Sequence, residues 1–244
     1  PENRWRTIGM LSLKYYILKD LSVQARSALD ASFNQWELKM YNDTYTQAIN
    51  GGYSKWNSSS YGWNNDVLIN YTKSLGEFKI DVNAGANNYL TEYQMIGGTG
   101  VVFNIENLFS LSNTKDPRPT EDYSRKVVNS VLGFAEFSWR DAIFLNLTGR
   151  NDWSSTLPAA NRSYFYPSIG LTAVLSDLIT LPEIITHLKL RGSYAVVGND
   201  TNPYQLARTA SVQTGGYITL SNVLPNANLK PESTRSIESG LDLR

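Results

Sequence analysis

Leu224-Pro-Asn-Ala-Asn-Leu-Lys-Pro-Glu-Ser-Thr-Arg-Ser-Ile-Glu-Ser-Gly-Leu-Asp-Leu-Arg244 divides into a turn and a strand. Pro225, Asn226, Asn228 and Pro231 punctuate the first part, as turn residues do. In the second part Ser236, Glu238, Gly240 and Asp242 fall on one parity, and Ile237, Leu241 and Leu243 on the other. A period of two is the mark of a strand with one polar and one apolar face. In a soluble protein such an apolar face looks at a core. In a membrane barrel it looks at lipid, and the acidic residues look into the lumen.

The same alternation recurs along the chain. It predicts strands over 5–17, 21–29, 65–73, 77–86, 127–138, 142–150, 163–175 and 188–197, which with the final one makes about nine. The cleanest is 77–86, where Glu77, Lys79, Asp81, Asn83 and Gly85 interleave with Phe78, Ile80, Val82, Ala84 and Ala86. The polar and aromatic segments 31–64, 88–126 and 198–233 read as long loops. Within the second, Ile105–Leu111 reads as a small helix or strand, and Asp116-Pro-Arg-Pro119 as irregular. Connections therefore alternate between short (18–20, 75–76, 139–141) and long, the last pair being 176–187 and 198–233, with 152–162 a medium loop. Loops above about 15 residues are uncommon in compact domains. An up-and-down membrane barrel, however, has short turns at one end and long loops at the other. The fold expectation is all-β: part of an antiparallel up-and-down transmembrane β-barrel with long outer loops.

Composition narrows the function. Lys plus Arg is 22 and Asp plus Glu is 22, so no net charge draws the chain toward nucleic acid. Charged residues make up only 18%, and Tyr (15) outnumbers Phe (8). Tyr and Trp suit membrane interfaces and sugar-binding surfaces alike. The absence of Cys excludes a disulfide scaffold and thiol chemistry. No apolar run is long enough for a transmembrane helix, which leaves strands free to cross. Pro1-Glu-Asn-Arg-Trp5 is not a signal peptide and reads as the interior of a longer protein.

Asn228-Leu-Lys-Pro-Glu232, followed by Thr234, Glu238, Gly240 and Asp242, resembles a signature of the SusC/RagA-type TonB-dependent transporters of Bacteroidetes outer membranes. Leu188-Lys-Leu-Arg-Gly-Ser-Tyr194 with Gly198-Asn199 resembles a second. Gly149-Arg-Asn-Asp-Trp-Ser-Ser155 with Tyr166-Pro-Ser-Ile-Gly170 resembles a third, and the three stand in the family's order. The resemblance implies a barrel of 22 strands with a plugged lumen. Residues 1–244 would be part of that one barrel domain, the plug and the terminal strands lying outside the chain. It further implies import of nutrients, chiefly oligosaccharides, with glycan or peptide as cargo. The partners it implies are a SusD-like lipoprotein cap, the TonB–ExbB–ExbD motor acting through the plug, and outer-membrane lipid.

Candidate residues follow from both lines. The aromatics Tyr53, Trp56, Tyr61 and Trp63 in segment 31–64 are candidate contacts for ligand or partner, against the plainer reading that a long loop needs a small core of its own. Lys189, Arg191, Glu238 and Asp242 are candidate lumen-facing charges, against the plainer reading that they make interstrand ion pairs and hydrogen bonds that hold a wide barrel around its plug. Catalysis has little support. His187, the only histidine, sits in a Pro-containing linker, and Glu121-Asp122 reads as a solvated pair. Asn199-Asp-Thr-Asn202 is too short for a calcium loop. No catalytic, cofactor or metal residue is expected. The rival readings are a glycan-binding β-sandwich, which predicts mixed loop lengths, and a β-rich glycan hydrolase, which needs two carboxylates across a cleft.

Overall fold

The computed structural model describes residues 1–44, 48–213 and 215–244. Nine strands form one antiparallel sheet in chain order: β1 (Glu2–Leu18), β2 (Leu21–Thr44), β3 (Ala48–Leu75), β4 (Phe78–Val101), β5 (Arg118–Trp139), β6 (Ile143–Ser154), β7 (Ser163–Val174), β8 (Leu188–Asn199) and β11 (Glu232–Leu243). Between β8 and β11, β9 (Ala210–Val212) and β10 (Ile218–Leu220) pair as a separate small hairpin. The sheet does not close on itself, and β1 and β11 are its edges.

Tight turns join the strands at one end. Lys19-Asp20 and Gly76-Glu77 make two of them, and Arg140 to Ala142 the third. Gly76 takes φ +62°, and Arg140 and Asp141 take φ 54° and 50°. Positive φ is what a turn needs to match the right-handed twist of the strands it joins.

Register assigns every side chain to a face. One row across the sheet runs Tyr71, Val82, Ala135, Leu147, Ile169, Tyr194 and Ile237 from β3 to β11. The next row runs Thr72, Asp81, Glu136, Asn146, Gly170, Ser193 and Glu238. The burial of the two faces is inverted relative to a soluble domain. Ile69 and Leu171 on the apolar face are 50% and 53% exposed, while Ser130 and Asp152 on the polar face are 3% and 6% exposed. A β-sandwich would turn its apolar faces toward each other; here they are the uncovered ones. On β4 the unbroken apolar series Phe78, Ile80, Val82, Ala84, Ala86 spans about the nine residues a tilted strand needs to cross hydrocarbon.

Several sequence expectations are corrected. Most of 31–64 is not loop. β2 runs on to Thr44 and β3 begins at Ala48, paired in register through Phe33↔Ser59, Trp36↔Trp56 and Lys39↔Tyr53; residues 45–47 lie outside the described ones. β4 likewise continues to Val101, so the true loop of the second segment is 102–117. Once a strand leaves the apolar band, neither face has to be apolar. The period-two signal then fades while the backbone ladder continues. Ile105–Ser110 forms neither helix nor strand; it is irregular chain with one turn, and only Leu111 enters a short 3-10 helix, Leu111–Asn113. Arg118 and Pro119 open β5 rather than interrupting it. Pro119 is tolerated because β5 pairs with β6 only from Val128 onward, leaving an open edge there. β6 reaches Ser154, three residues into the expected medium loop. Segment 198–233, whose Thr214 lies outside the described residues, contains the β9–β10 hairpin.

Candidate functional site

The polar face carries the chemistry of this chain. Its wide neighbouring strands would drift in register without cross-links, and side-chain hydrogen bonds supply them. Arg26 on β2 meets Asp66 on β3 at 2.8 Å. Asp81 on β4 accepts from Thr72 at 2.6 Å and Asn70 at 3.1 Å, both on β3. Arg150 on β6 reaches Asp152 at 2.6 Å and Ser130 of β5 at 2.9 Å. Asp200, just past β8, is held by Lys126 and Ser154, with Thr156 at 3.3 Å. These groups saturate one another and build a polar wall. Among the described residues no cluster of three or more His, Asp or Glu side chains is placed to hold a metal ion.

The four aromatics predicted in segment 31–64 do not act as one group. All lie on β3, and parity separates them. Tyr53 is buried on the apolar side of the strand extension. Its hydroxyl donates to Glu37 at 3.1 Å, and its ring lies 6.2 Å from Phe109. Phe109 also meets Tyr41 edge-on at 4.9 Å and Phe103 at 5.6 Å. Loop 102–117 thus folds onto the extension and forms a satellite core with Tyr53. Tyr61, opposite Glu92, and Trp63, whose Nε1 donates to Ser27 at 2.8 Å, share the apolar side. Trp63 sits where the apolar band ends, the level at which indoles anchor a barrel. Only Trp56 projects from the polar face, where its ring centroid is 4.6 Å from that of Trp36.

Electrostatics tighten the same extension. Glu37 lies eight positions beyond Leu29, outside the apolar band. Lys55 at 3.2 Å, Tyr53 and Lys39 at 3.3 Å hold its carboxyl below the usual carboxylate range. Lys55 is raised in return, by Glu37 first. Burial, and then the bond to Glu37, push the Tyr53 hydroxyl up.

Lys189, Arg191, Glu238 and Asp242 share the polar face of β8 and β11. Lys189 is the register partner of Asp242, and Glu238 that of Ser193. The Arg191 side chain lies over Gly240, where an added Cβ would come within 2.4 Å of Nε. Among the described residues none of the four forms an ion pair within 4.0 Å. His187 ends the β8–β11 ladder through backbone bonds with Arg244. Sequence reasoning missed Trp36, Asn34 and the Arg6–Asp30 pair. Their only signal is register, which sets Trp36 opposite Trp56 and lets Arg6 of β1 reach Asp30 of β2.

Residues 2–244 match the family model described as TonB dependent receptor-like, beta-barrel. TonB-dependent receptor P26 from Formosa agariphila is 31% identical over 198 residues, covering 74% of this chain and 20% of that protein. A chain of the RagAB peptide transporter superposes with a TM-score of 0.82 at 19% identity, over 99% of this chain and 29% of that one. The siderophore receptor PiuA from Acinetobacter baumannii gives 0.58 at 12% identity, over 98% and 38%. At such identities the structural likenesses establish a shared fold. The chain spans about a fifth of the length of its curated relative.

Proposed function

The chain belongs to the TonB dependent receptor-like β-barrel family, and from that premise we propose that it forms wall and outer extensions of an outer-membrane nutrient importer. The observation that carries this reading is the inverted burial: an apolar face left uncovered and a polar face knitted by hydrogen bonds. That arrangement fits lipid outside and a wet lumen inside. The tight turns would face the periplasm and the long β2–β4 extensions the exterior. Lys189, Arg191, Glu238 and Asp242 would then line the lumen. A plug outside this chain would couple to the TonB–ExbB–ExbD motor, and a SusD-like lipoprotein would cap the extensions. The cargo is an oligosaccharide. A second reading, peptide cargo, is supported by the fold shared with the RagAB peptide transporter.

The test is to delete the gene for the intact protein and follow uptake of labelled oligosaccharides and oligopeptides, with and without TonB. Loss of TonB-dependent oligosaccharide uptake is expected. Loss of peptide uptake alone would move the cargo to the second reading. Unchanged uptake of both, or a protein extracted without detergent, would overturn the transporter.

A further inference from the structure

We propose that the apolar face carries a binding site for an N-acylated glucosamine lipid of the outer leaflet, built from an amide row of Asn65, Asn88 and Asn129 beside a groove floored by Ala25 and Ala86. The inference rests on the membrane placement in the importer reading, and not on import itself.

One row of the apolar face is polar from β2 to β5. Ser27, Asn65, Asn88 and Asn129 are successive register partners across these four strands. The rows on either side are apolar: Ala25, Val67, Ala86 and Val131 toward the tight turns, Leu29, Trp63, Leu90 and Val127 toward the extensions. Register runs through the row without a shift in all three strand pairs, so no bulge turns the amides to the lumen.

The bonds within the row are incomplete. Ser27 Oγ donates to Asn65 Oδ1 at 2.7 Å and accepts from Trp63 Nε1 at 2.8 Å. Asn88 Nδ2 donates to Asn129 Oδ1 at 2.7 Å. Among the described residues, Nδ2 of Asn65, Nδ2 of Asn129 and Oδ1 of Asn88 are left without a partner. Each amide carries two donors and two acceptor sites, so either orientation of the group leaves both kinds open. Hydrocarbon can serve neither. Next to the row, Leu13, Val67, Val131 and Trp153 wall a groove of about 790 Å³ over Ala25 and Ala86. That is within the range of small-ligand sites, roughly 300–1,000 Å³, and its apolar walls suit an acyl chain.

Depth and chemistry select the lipid. Asn88 stands ten residues from Phe78 at the tight-turn end. That is about 34 Å of strand, or about 24 Å of depth at a tilt of about 45°, against an apolar band of about 25 Å. The row therefore lies at the outer boundary of the band, where acyl chains join their headgroup. A glycerophospholipid presents ester oxygens at that level, which only accept. An amide-linked acyl chain presents an N–H and a C=O together, as the row requires. Two same-face steps outward, the Arg125 side chain is 55% exposed and only 3.9 Å from Glu92, beyond hydrogen-bond length. Its guanidinium is available to a lipid phosphate.

The test uses the intact protein purified from outer membranes in mild detergent. Native mass spectrometry reads the lipid retained per chain, and extraction identifies it. The variants are Asn65→Leu combined with Asn129→Leu, which removes the open donors, and Ala86→Phe, which fills the groove and leaves the amides. Ile169→Val, elsewhere on the apolar face, is the control. Heat-modifiable migration reports barrel assembly for each. The wild type is expected to retain a glucosamine lipid, the double variant and Ala86→Phe about tenfold less, and the control as much as wild type. Equal retention in assembled variants would overturn the site. So would retention of glycerophospholipid alone, of no lipid, or a dimer of the chain with the groove free of lipid. If the double variant does not assemble, Ala86→Phe decides: lower retention upholds the site, wild-type retention overturns it. Amide-dependent retention in a protein that imports neither cargo upholds the site and counts against import. Unimpaired import with equal retention in every variant overturns the site alone.

Discussion

Tyr166 on β7 donates a 2.7 Å hydrogen bond to Asp152 on β6, and the same carboxylate receives Arg150 Nε at 2.6 Å. Arg150 also reaches Ser130 on β5, so one acidic group staples three strands from the polar face. Asp152→Ala removes the centre and leaves a guanidinium and a phenol without it. A cost of about 1–3 kcal/mol is expected, read in the intact protein as a lower temperature for loss of heat-resistant migration. Tyr166→Phe removes one bond and should cost about 0.5–1.5 kcal/mol.

Face assignment makes a second prediction. Val82 lies on the apolar face, in the row with Ala135 and Leu147, and Glu136 lies on the polar face of the next strand. Val82→Lys puts an ammonium against lipid and should cost about 2–4 kcal/mol near mid-membrane. Glu136→Lys reverses the charge but leaves it in the polar interior, and should leave assembly nearly unchanged. Comparing assembled barrel in membrane fractions checks this, and equal outcomes for the two variants would undo the assignment.

What the sequence made legible follows from where water and lipid meet the chain. Phe78 to Ala86 could be read as a strand because lipid on one side and water on the other force strict alternation. The β2–β3 extension has no such contrast. Ser58-Ser59-Ser60 and Gly52 look like turn residues, yet they pair with Asn34, Phe33, Ser32, Val101 and Met40 in register. Backbone hydrogen bonds hold them there, and those leave no compositional trace. Trp56 stood out as a candidate contact from its type alone. Its face and its partner Trp36 depend on a register that joins positions twenty apart, and the same register withdraws Tyr53, Tyr61 and Trp63 to the other side.

The Glu37 cluster gives the extension a pH dependence. Lys55, Tyr53 and Lys39 depress the folded-state pKa of this carboxyl. A depressed carboxyl contributes stability above its unfolded value, about 4.3, and loses it as pH falls through the folded one. Hydrogen-exchange protection of residues 31–44 and 48–62 should therefore be level from neutral pH down to about 5 and fall in more acidic buffer. Glu37→Gln should lower protection at neutral pH and flatten the acid limb. An acid limb of unchanged depth in that variant would assign the pH dependence to another group.

Loop 102–117 is held by one buried amide. Asn113 Oδ1 accepts the Ile105 N–H at 3.0 Å, and Nδ2 donates to the carbonyls of Ile105 and Leu108, both at 2.8 Å. No water-accessible route replaces these bonds while the loop is closed, because the side chain is buried. Asn113→Ala leaves one donor and two acceptors of the backbone unserved, at about 1–3 kcal/mol. Asn113→Asp restores the acceptor but not the two donors, and should fall between. Since Phe103 and Phe109 reach Tyr53 only through the closed loop, opening it also uncovers the satellite core. Limited proteolysis of the intact protein should cut within 102–117 faster in Asn113→Ala than in Asn113→Asp, and slowest in wild type, with the barrel's heat resistance unchanged. Equal cutting rates in all three would mean that the aromatic contacts, not the amide, keep the loop closed.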